Sequence, residues 1–286
     1  MRFIVSSWNQ FYMKNSNIKI AIIGYGFVGK KVFSFFEDYF GEDSSKHLMI
    51  YDPYVKNVNV CSKEQANTAD LAIVCVPTEK NKDGKADTSI VYDTIKWLKT
   101  PLILIKSTVP PGTTRELSLL TKKKIAFSPE FVGESTYYHP FWDKMIEEPA
   151  LIIGAEDKKV AEDILDFFQP ILGPTKTFAI TDSTTAELTK YMENVYFATK
   201  VIFSNEMSKI AKTFGVSYYQ LRELWALDPR VDKMHTSVFK GKLGFGGKCF
   251  PKDLSALIEA SKEAGYNPEF LEEVQKSNAR FTKENN

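Results

Sequence analysis

Ile18-Lys19-Ile20-Ala21-Ile22-Ile23-Gly24-Tyr25-Gly26-Phe27-Val28-Gly29 passes from a short apolar, β-branched run into three glycines spaced G-x-G-x-x-G, and then into a helical pattern. A strand that ends in such a turn and opens a helix has the form of a dinucleotide fingerprint. Gly24 is read as the tight turn, Gly26 as the point where a pyrophosphate approaches, and Gly29 as the close helix–strand contact. Phe27 and Val28 lie beside them at the start of the helix, whose N-terminus would take the phosphates. The spacing alone is a weak signal. Asp52 strengthens it, because it follows the strand Leu48–Tyr51, where a carboxylate can accept the ribose hydroxyls and repel a 2′-phosphate. The expected cofactor is therefore NAD. The competing reading of Asp52 is an ordinary surface-turn aspartate.

Outward from this stretch, apolar runs alternate with helical patterns as far as Ile180. The strands are predicted at Ile18–Ile23, Leu48–Tyr51, Leu71–Val76, Leu102–Lys106, Lys124–Phe127, Ala150–Ile153 and Lys176–Ile180. Nearly continuous apolar character marks strands covered on both faces, hence a mostly parallel sheet. Helices are predicted at Val28–Tyr39, Thr88–Leu98, Thr113–Leu120 and Lys158–Phe168, which makes the segment 17–181 an α/β, doubly wound Rossmann-type domain. Ligands of such sheets bind at the carboxyl ends of the strands. Pro77 and Thr78 after the third strand, and Ser107 and Thr108 after the fourth, are therefore expected to border the cofactor and the substrate. Taken alone, Pro110-Pro111-Gly112 is ordinary turn chemistry.

The pattern changes at Thr181-Asp182-Ser183-Thr184. Thr184 and Glu187 match a capping box, and a helical pattern runs on to Phe214 before Gly215. Such a helix is roughly 45 Å long. Leu188, Tyr191, Met192, Val195, Tyr196, Phe197, Val201, Ile202, Phe203, Met207 and Ile210 make it apolar around much of its girth, so it needs burial on more than one side. A two-fold homodimer with these helices packed together is expected. Lys190 and Asn194 stand one turn apart among these apolar neighbours, and a lysine in such a stripe needs a partner or a task. Further helices are predicted at Tyr218–Trp225, Asp253–Ala264 and Glu269–Phe281. The segment 182–286 is thus an all-helical domain built on one long helix.

Within it, Gly244-Phe245-Gly246-Gly247-Lys248-Cys249-Phe250-Pro251-Lys252-Asp253 sets a thiol in a glycine-rich turn between lysines, which favour the reactive thiolate. Pro251 is read as fixing the exit of the turn, with Asp253 opening the next helix. A lone cysteine in a loop is ordinarily a buried structural residue. A nicotinamide fingerprint on the same chain points instead to oxidation through a thioester. Glu130 and Glu134, in Ser128-Pro129-Glu130-Phe131-Val132-Gly133-Glu134, share a face if that stretch is helical.

With 286 residues, 43% hydrophobic and 26% charged, and a net charge of +1, the chain reads as a globular protein of one large or two ordinary domains. It has no polybasic bias towards nucleic acid or membrane. Cys61, Cys75 and Cys249 form no CxxC pair, which fits a reducing, cytoplasmic compartment and no disulfide framework. His47, His139 and His235 are too scattered for a metal site. Residues 1–16 read as an N-terminal extension rather than a signal peptide, and Met13 offers an alternative start.

The fingerprint, STVPPGTT (107–114), SPEFVGES (128–135), the Lys190–Asn194 helix, Leu227-Asp228-Pro229-Arg230 and GFGGKCFPKD (244–253) occur in the order seen in the UDP-glucose/GDP-mannose dehydrogenase family, which the chain resembles from Lys19 to Arg280. The resemblance implies two NAD-dependent oxidations of a nucleotide-sugar C6 alcohol to a carboxylate, supplying polysaccharide biosynthesis. It implies Cys249 as nucleophile, Lys190 and Asp253 as the pair handling the proton and the oxyanion, and Asn194 and Thr108 as positioning groups. Glu130 resembles the residue of thioester hydrolysis, and Glu134 and Lys252 resemble residues ordering the cofactor and the site. Arg230 matches an arginine that reaches the substrate across the dimer interface, and Gly246 is counted with Glu130, Lys190 and Asn194 among the substrate-binding residues. The Leu227–Arg230 motif leans towards UDP-glucose. Two departures stand out. Gly133 replaces a larger, often basic residue, and the chain stops where the family continues into a UDP-binding domain. A non-catalytic NAD-binding or assembly protein, or a partner-dependent dehydrogenase, is the alternative. A β-hydroxyacid dehydrogenase shares the Rossmann domain and long helix but needs no cysteine.

Overall fold

Isoleucine, leucine and valine occupy both faces of the strands, and a computed structural model describing residues 17–56, 58–131 and 145–285 shows what covers them. Seven strands form one sheet in the order β2-β1-β3-β4-β5-β6-β7. They are β1 (Ile20–Ile23), β2 (Leu48–Tyr51), β3 (Leu71–Val74), β4 (Leu102–Ile105), β5 (Ile125–Phe127), β6 (Ala150–Gly154) and β7 (Thr177–Thr181). All neighbours run parallel except β5 and β6, which meet antiparallel at Phe127 and Gly154. Along β1, β3 and β4 alternate residues enter two separate cores. Ile20, Ile22, Leu71, Ile73 and Leu104 pack with Phe36 of α1 (Phe27–Phe40) and Phe168 of α4 (Lys158–Leu172). Ala21, Ile23, Val74, Ile103 and Ile105 pack with Val91 of α2 (Ser89–Trp97) and Leu117 of α3 (Thr113–Thr121). Both faces are covered, so the sequence shows no polar alternation. Each such buried side chain contributes about 1.5–3 kcal/mol.

The chain divides into two compact units, Met1–Glu79 with Asp87–Lys190, and Lys80–Ala86 with Tyr191–Asn286. The long helix α5 (Ser183–Thr213) contributes to both. In the second unit α6 (Tyr218–Trp225), α7 (Cys249–Glu263) and α8 (Glu269–Lys283) follow, and Val195, Ala198 and Ile202 of α5 pack with Phe245, Leu254, Ile258, Val274 and Phe281. A neighbouring stripe of α5 is left to solvent within the chain. Met192 is 72% exposed, Tyr196 55% and Phe203 50%.

Three local expectations are corrected. The helix α5 is capped by Asp182, whose Oδ1 accepts from the Thr185 amide at 2.8 Å, and Glu187 serves another helix altogether. No capping box forms between Thr184 and Glu187, because burial draws Glu187 away from its own helix end. The helix α4 runs past Phe168 and through Pro170, ending at Gly173, whose φ of 73° no β-carbon-bearing residue adopts easily. The helix α7 begins at Cys249 instead of Asp253. Pro251 lies in its first turn, where the missing N–H has no intrahelical acceptor to lose.

Candidate active site

In the first unit, the fingerprint turn is shaped by contacts that leave no room for side chains. Gly24 has φ +92°, and a β-carbon there would lie 2.7 Å from the Cys75 carbonyl oxygen. One on Gly29 would lie 2.0 Å from the Gly24 oxygen. A β-carbon on Gly26 would meet nothing within 4 Å, so open space stands where the sequence reading put the pyrophosphate. Phe27 is exposed and Val28 half-buried at the first turn of α1. Asp52, after β2, accepts from the Tyr25 amide at 2.8 Å and from the amides of Tyr54 and Val55, which ties the loop after β2 to the fingerprint. These residues fit a dinucleotide: a helix N-terminus, a backbone that can be approached closely, and a carboxylate fixed beside them.

The loops after β3 and β4 are tied to each other. Thr78 Oγ1 donates to the Thr108 carbonyl at 2.8 Å, and Ser107 Oγ donates to the Val76 carbonyl at 2.7 Å. Pro77 between them is exposed. The far end of the Thr108 loop is held by Glu187 of α5, whose carboxylate accepts from the amides of Gly112 at 2.6 Å and Thr114 at 2.8 Å, at the N-terminus of α3. Burial pushes the Glu187 carboxyl up to about 7 against these stabilising bonds. Sequence reading missed this role, and the one signal for it was a carboxylate on an apolar helix face.

Glu130 follows β5 outside any helix and is buried, with its Oε2 3.2 Å from the ammonium of Lys106. The ammonium of Lys190 sits 5.2 Å from the centre of the neighbouring Phe131 ring, a cation–π contact that offsets part of its desolvation. Glu134 lies outside the described residues.

In the second unit, Asn194 Nδ2 donates to Asp253 Oδ2 at 2.5 Å, and Lys252 Nζ lies 2.6 Å from Asp253 Oδ1. Asp253 is 1% exposed and Asn194 6%, so the carboxylate is paired and oriented inside the protein. Cys249, half-buried, opens α7 one helical turn before Asp253. Its place at a helix N-terminus favours the thiolate by about 0.3–1 kcal/mol, a source of activation the lysine-based reading did not include. By contrast, burial pushes the Cys75 thiol up to about 12 and raises that of Cys61, which marks both as structural. The turn before Cys249 is held from a distance. Asn278 of α8 accepts from the Phe245 amide at 2.7 Å and donates back to its carbonyl at 3.1 Å. Asn205 accepts from the Gly244 amide at 3.2 Å, and Asn285 makes the same two-way bond with Leu243. None of these asparagines was singled out in the sequence, because nothing local links them to the turn. Gly246 is exposed in the middle of it. Arg230 is exposed and forked onto Asp228 of its own motif, with Nη2 2.5 Å from Oδ2.

Residues 46–172 match the NAD-binding domain of the UDP-glucose/GDP-mannose dehydrogenase family, and residues 184–280 match its central domain. A protein named UDP-glucose 6-dehydrogenase from Rickettsia prowazekii is 30% identical over 276 residues, a match that takes in 93% of this chain and 60% of that protein. The structure of a UDP-glucose dehydrogenase from the archaeon Pyrobaculum islandicum aligns with a TM-score of 0.75 at 26% identity, over 93% of this chain and 68% of that one. A UDP-D-ManNAc dehydrogenase from Pyrococcus horikoshii gives a TM-score of 0.75 at 25% identity, over 92% and 68%. The chain thus spans about 60% of the length of the Rickettsia relative. With a fingerprint domain and a cysteine-bearing helical domain in the family's order, and both family models matched, the chain belongs to the UDP-glucose/GDP-mannose dehydrogenase family and carries its NAD-binding and central domains.

Proposed function

We propose that the chain works in the NAD-dependent oxidation of a nucleotide-sugar C6 alcohol to a carboxylate, with UDP-glucose as the substrate. The observation that carries this reading is Cys249 at the N-terminus of α7, one turn before a buried Asp253 that Asn194 and Lys252 hold in place. A cysteine there has a reason to be a thiolate, and a carboxylate fixed in this way has a reason to handle protons. When bound, NAD accepts a hydride in each of the two oxidations.

The chain's own groups do the rest. As the C6 alcohol becomes an aldehyde its proton passes by way of Asp253, and the Cys249 thiolate then adds to that aldehyde, giving a thiohemiacetal oxyanion that Lys190 stabilises. Loss of hydride turns the thiohemiacetal into a thioester, so the reactive aldehyde is never released. Water, losing a proton to Glu130, then attacks the thioester carbonyl. The C–S electron pair returns to Cys249, and the acid leaves. Thr108 and Asn194 orient the reacting carbon and the water. Gly24, Gly26, Phe27, Val28, Gly29, Asp52, Pro77, Thr78, Ser107, Glu134 and Lys252 serve the cofactor side, and Gly246 the substrate. The solvent-facing stripe of Met192, Tyr196 and Phe203 supports a homodimer, in which Arg230 would serve the partner's site. Light scattering of Phe203→Asp against the unchanged chain tests that assembly, and a stable monomer of the unchanged chain at micromolar concentration refutes it.

NADH formation across a panel of nucleotide sugars and free sugars tests the function. Activity with UDP-glucose that Cys249→Ser reduces by at least about a thousandfold supports it. Full acid production by Cys249→Ala would exclude the thioester route.

A further inference from the structure

The densest group of charges inside the first unit includes a residue that none of the motifs contains. Lys106 follows β4, and its ammonium is wholly buried, 3.2 Å from Glu130 Oε2 and within hydrogen-bond distance of Ser128 Oγ (3.3 Å) and the Pro129 carbonyl (3.4 Å). Glu148, just before β6, is 5% exposed, and its carboxyl lies beside that of Glu130. Glu148 Oε1 is buried and accepts from no donor. The remaining described groups around it do not supply a second internal cation. Cys75 is a buried neutral thiol, and Phe35, Met145, Leu151 and Phe168 are apolar. The ammonium of Lys176 is spent on the carbonyls of Ile146 and Glu148 at the edge.

Two ionised carboxylates cannot hydrogen-bond to each other, since each only accepts. One buried ammonium can neutralise one of them, and a second buried charge without a partner is expensive. We propose that Glu148 is a positioning residue that keeps a proton at neutral pH and shares it with Glu130, leaving Glu130 ionised against Lys106. Burial, and after it the neighbouring Glu130, push the Glu148 carboxyl up to about 9, in keeping with that arrangement. This deepens the reading of Glu130 as the group that takes the proton of the hydrolytic water. A neutral carboxyl that donates to Glu130 stabilises its ionised form, so Glu130 stays a proton acceptor to lower pH than beside Lys106 alone.

Infrared spectroscopy of the full chain tests the shared proton without any need for activity. A carbonyl stretch of a protonated carboxylic acid is expected at about pH 8, well above the ordinary carboxyl range, and it should be lost on titration through about 9. Glu148→Gln, which keeps a neutral donor of the same shape, should lack the band while remaining folded by circular dichroism. No band at that pH, or a band that Glu148→Gln leaves in place, overturns the proposal. Once a substrate is in hand, Glu148→Ala should move the acid limb of the kcat profile for acid formation up by about one pH unit, with the first NADH released as before. An unmoved limb would overturn the positioning role. Inactivity of the unchanged chain on every sugar would count against the proposed reaction, while the infrared result would still stand.

Discussion

At Gly24–Gly29 the backbone folds against itself, whereas at Gly244–Gly247 it is held by side chains from elsewhere in the chain. The first turn is fixed by steric exclusion: β-carbons at Gly24 and Gly29 would collide with main-chain oxygens 2.7 and 2.0 Å away. Little else is needed, and the same three-glycine spacing serves the strand-to-helix turn of dinucleotide-binding folds. The second turn has open space around Gly246 and Gly247, and its course is set by Asn205, Asn278 and Asn285 through backbone hydrogen bonds. A cofactor turn can be rigid by local sterics, because its ligand is docked by the main chain. A turn proposed to carry a nucleophile has to present one side chain at one angle, and here long-range polar clamps hold it.

The comparison breaks first, and most severely, at the cofactor turn. Gly29→Ala places a methyl group inside van der Waals contact of a backbone oxygen, and we expect a loss of more than about 3 kcal/mol of stability together with NAD binding. Urea unfolding and NAD titration of the variant measure both, and near-unchanged stability would mean that the turn is pliable. The next effect concerns the loop that leads into α3, where Glu187 titrates. Its folded-state value, about 7, lies above the ordinary 4.5, so its contribution is fully present below 4.5 and is lost as pH rises to 7. The stability of the unchanged chain minus that of Glu187→Gln should therefore fall by about 3 kcal/mol across that window and stay flat above it. Denaturant midpoints at a series of pH values give the difference directly.

At the Gly244–Gly247 turn, Asn278→Ala removes two hydrogen bonds to Phe245 and is expected to cost about 2 kcal/mol, with acid formation lowered and NAD affinity kept. Equal losses in both would show that the two turns are not independently built. The smallest effect sharpens the comparison at its polar edge. Asp52→Ala should narrow the preference for NAD over NADP roughly tenfold, about 1.4 kcal/mol, because the carboxylate that repels a 2′-phosphate is gone. Isothermal titration with the two cofactors measures it, and equal affinities in the unchanged protein would remove Asp52 from that role.

Much of this molecule was legible in its sequence. Every predicted strand lies within two residues of an observed one, and the central strands, buried on both faces, leave unbroken apolar runs that glycine and aspartate interrupt. The fingerprint was legible for the same reason, since a steric rule acts between residues close in sequence. The misreadings came where a residue's partner lies far along the chain. Glu187 has the spacing of a capping box, yet its carboxylate reaches amides more than seventy residues away. Pro251 has the look of a helix boundary, but the first turn of α7 tolerates it.

What the sequence determined by itself is the pattern of burial and the local stereochemistry: two-sided strands, glycine turns, a cysteine close before an aspartate. What only the tertiary structure decided is which polar groups meet inside. Asn194 finds Asp253 across fifty-nine residues, and Glu130 gathers Lys106 and Glu148 from the ends of different strands. Hydrophobic burial is non-directional and follows from residue type. A buried hydrogen bond or ion pair depends on distance and angle, and so on the positions of elements that the sequence brings together only when folded.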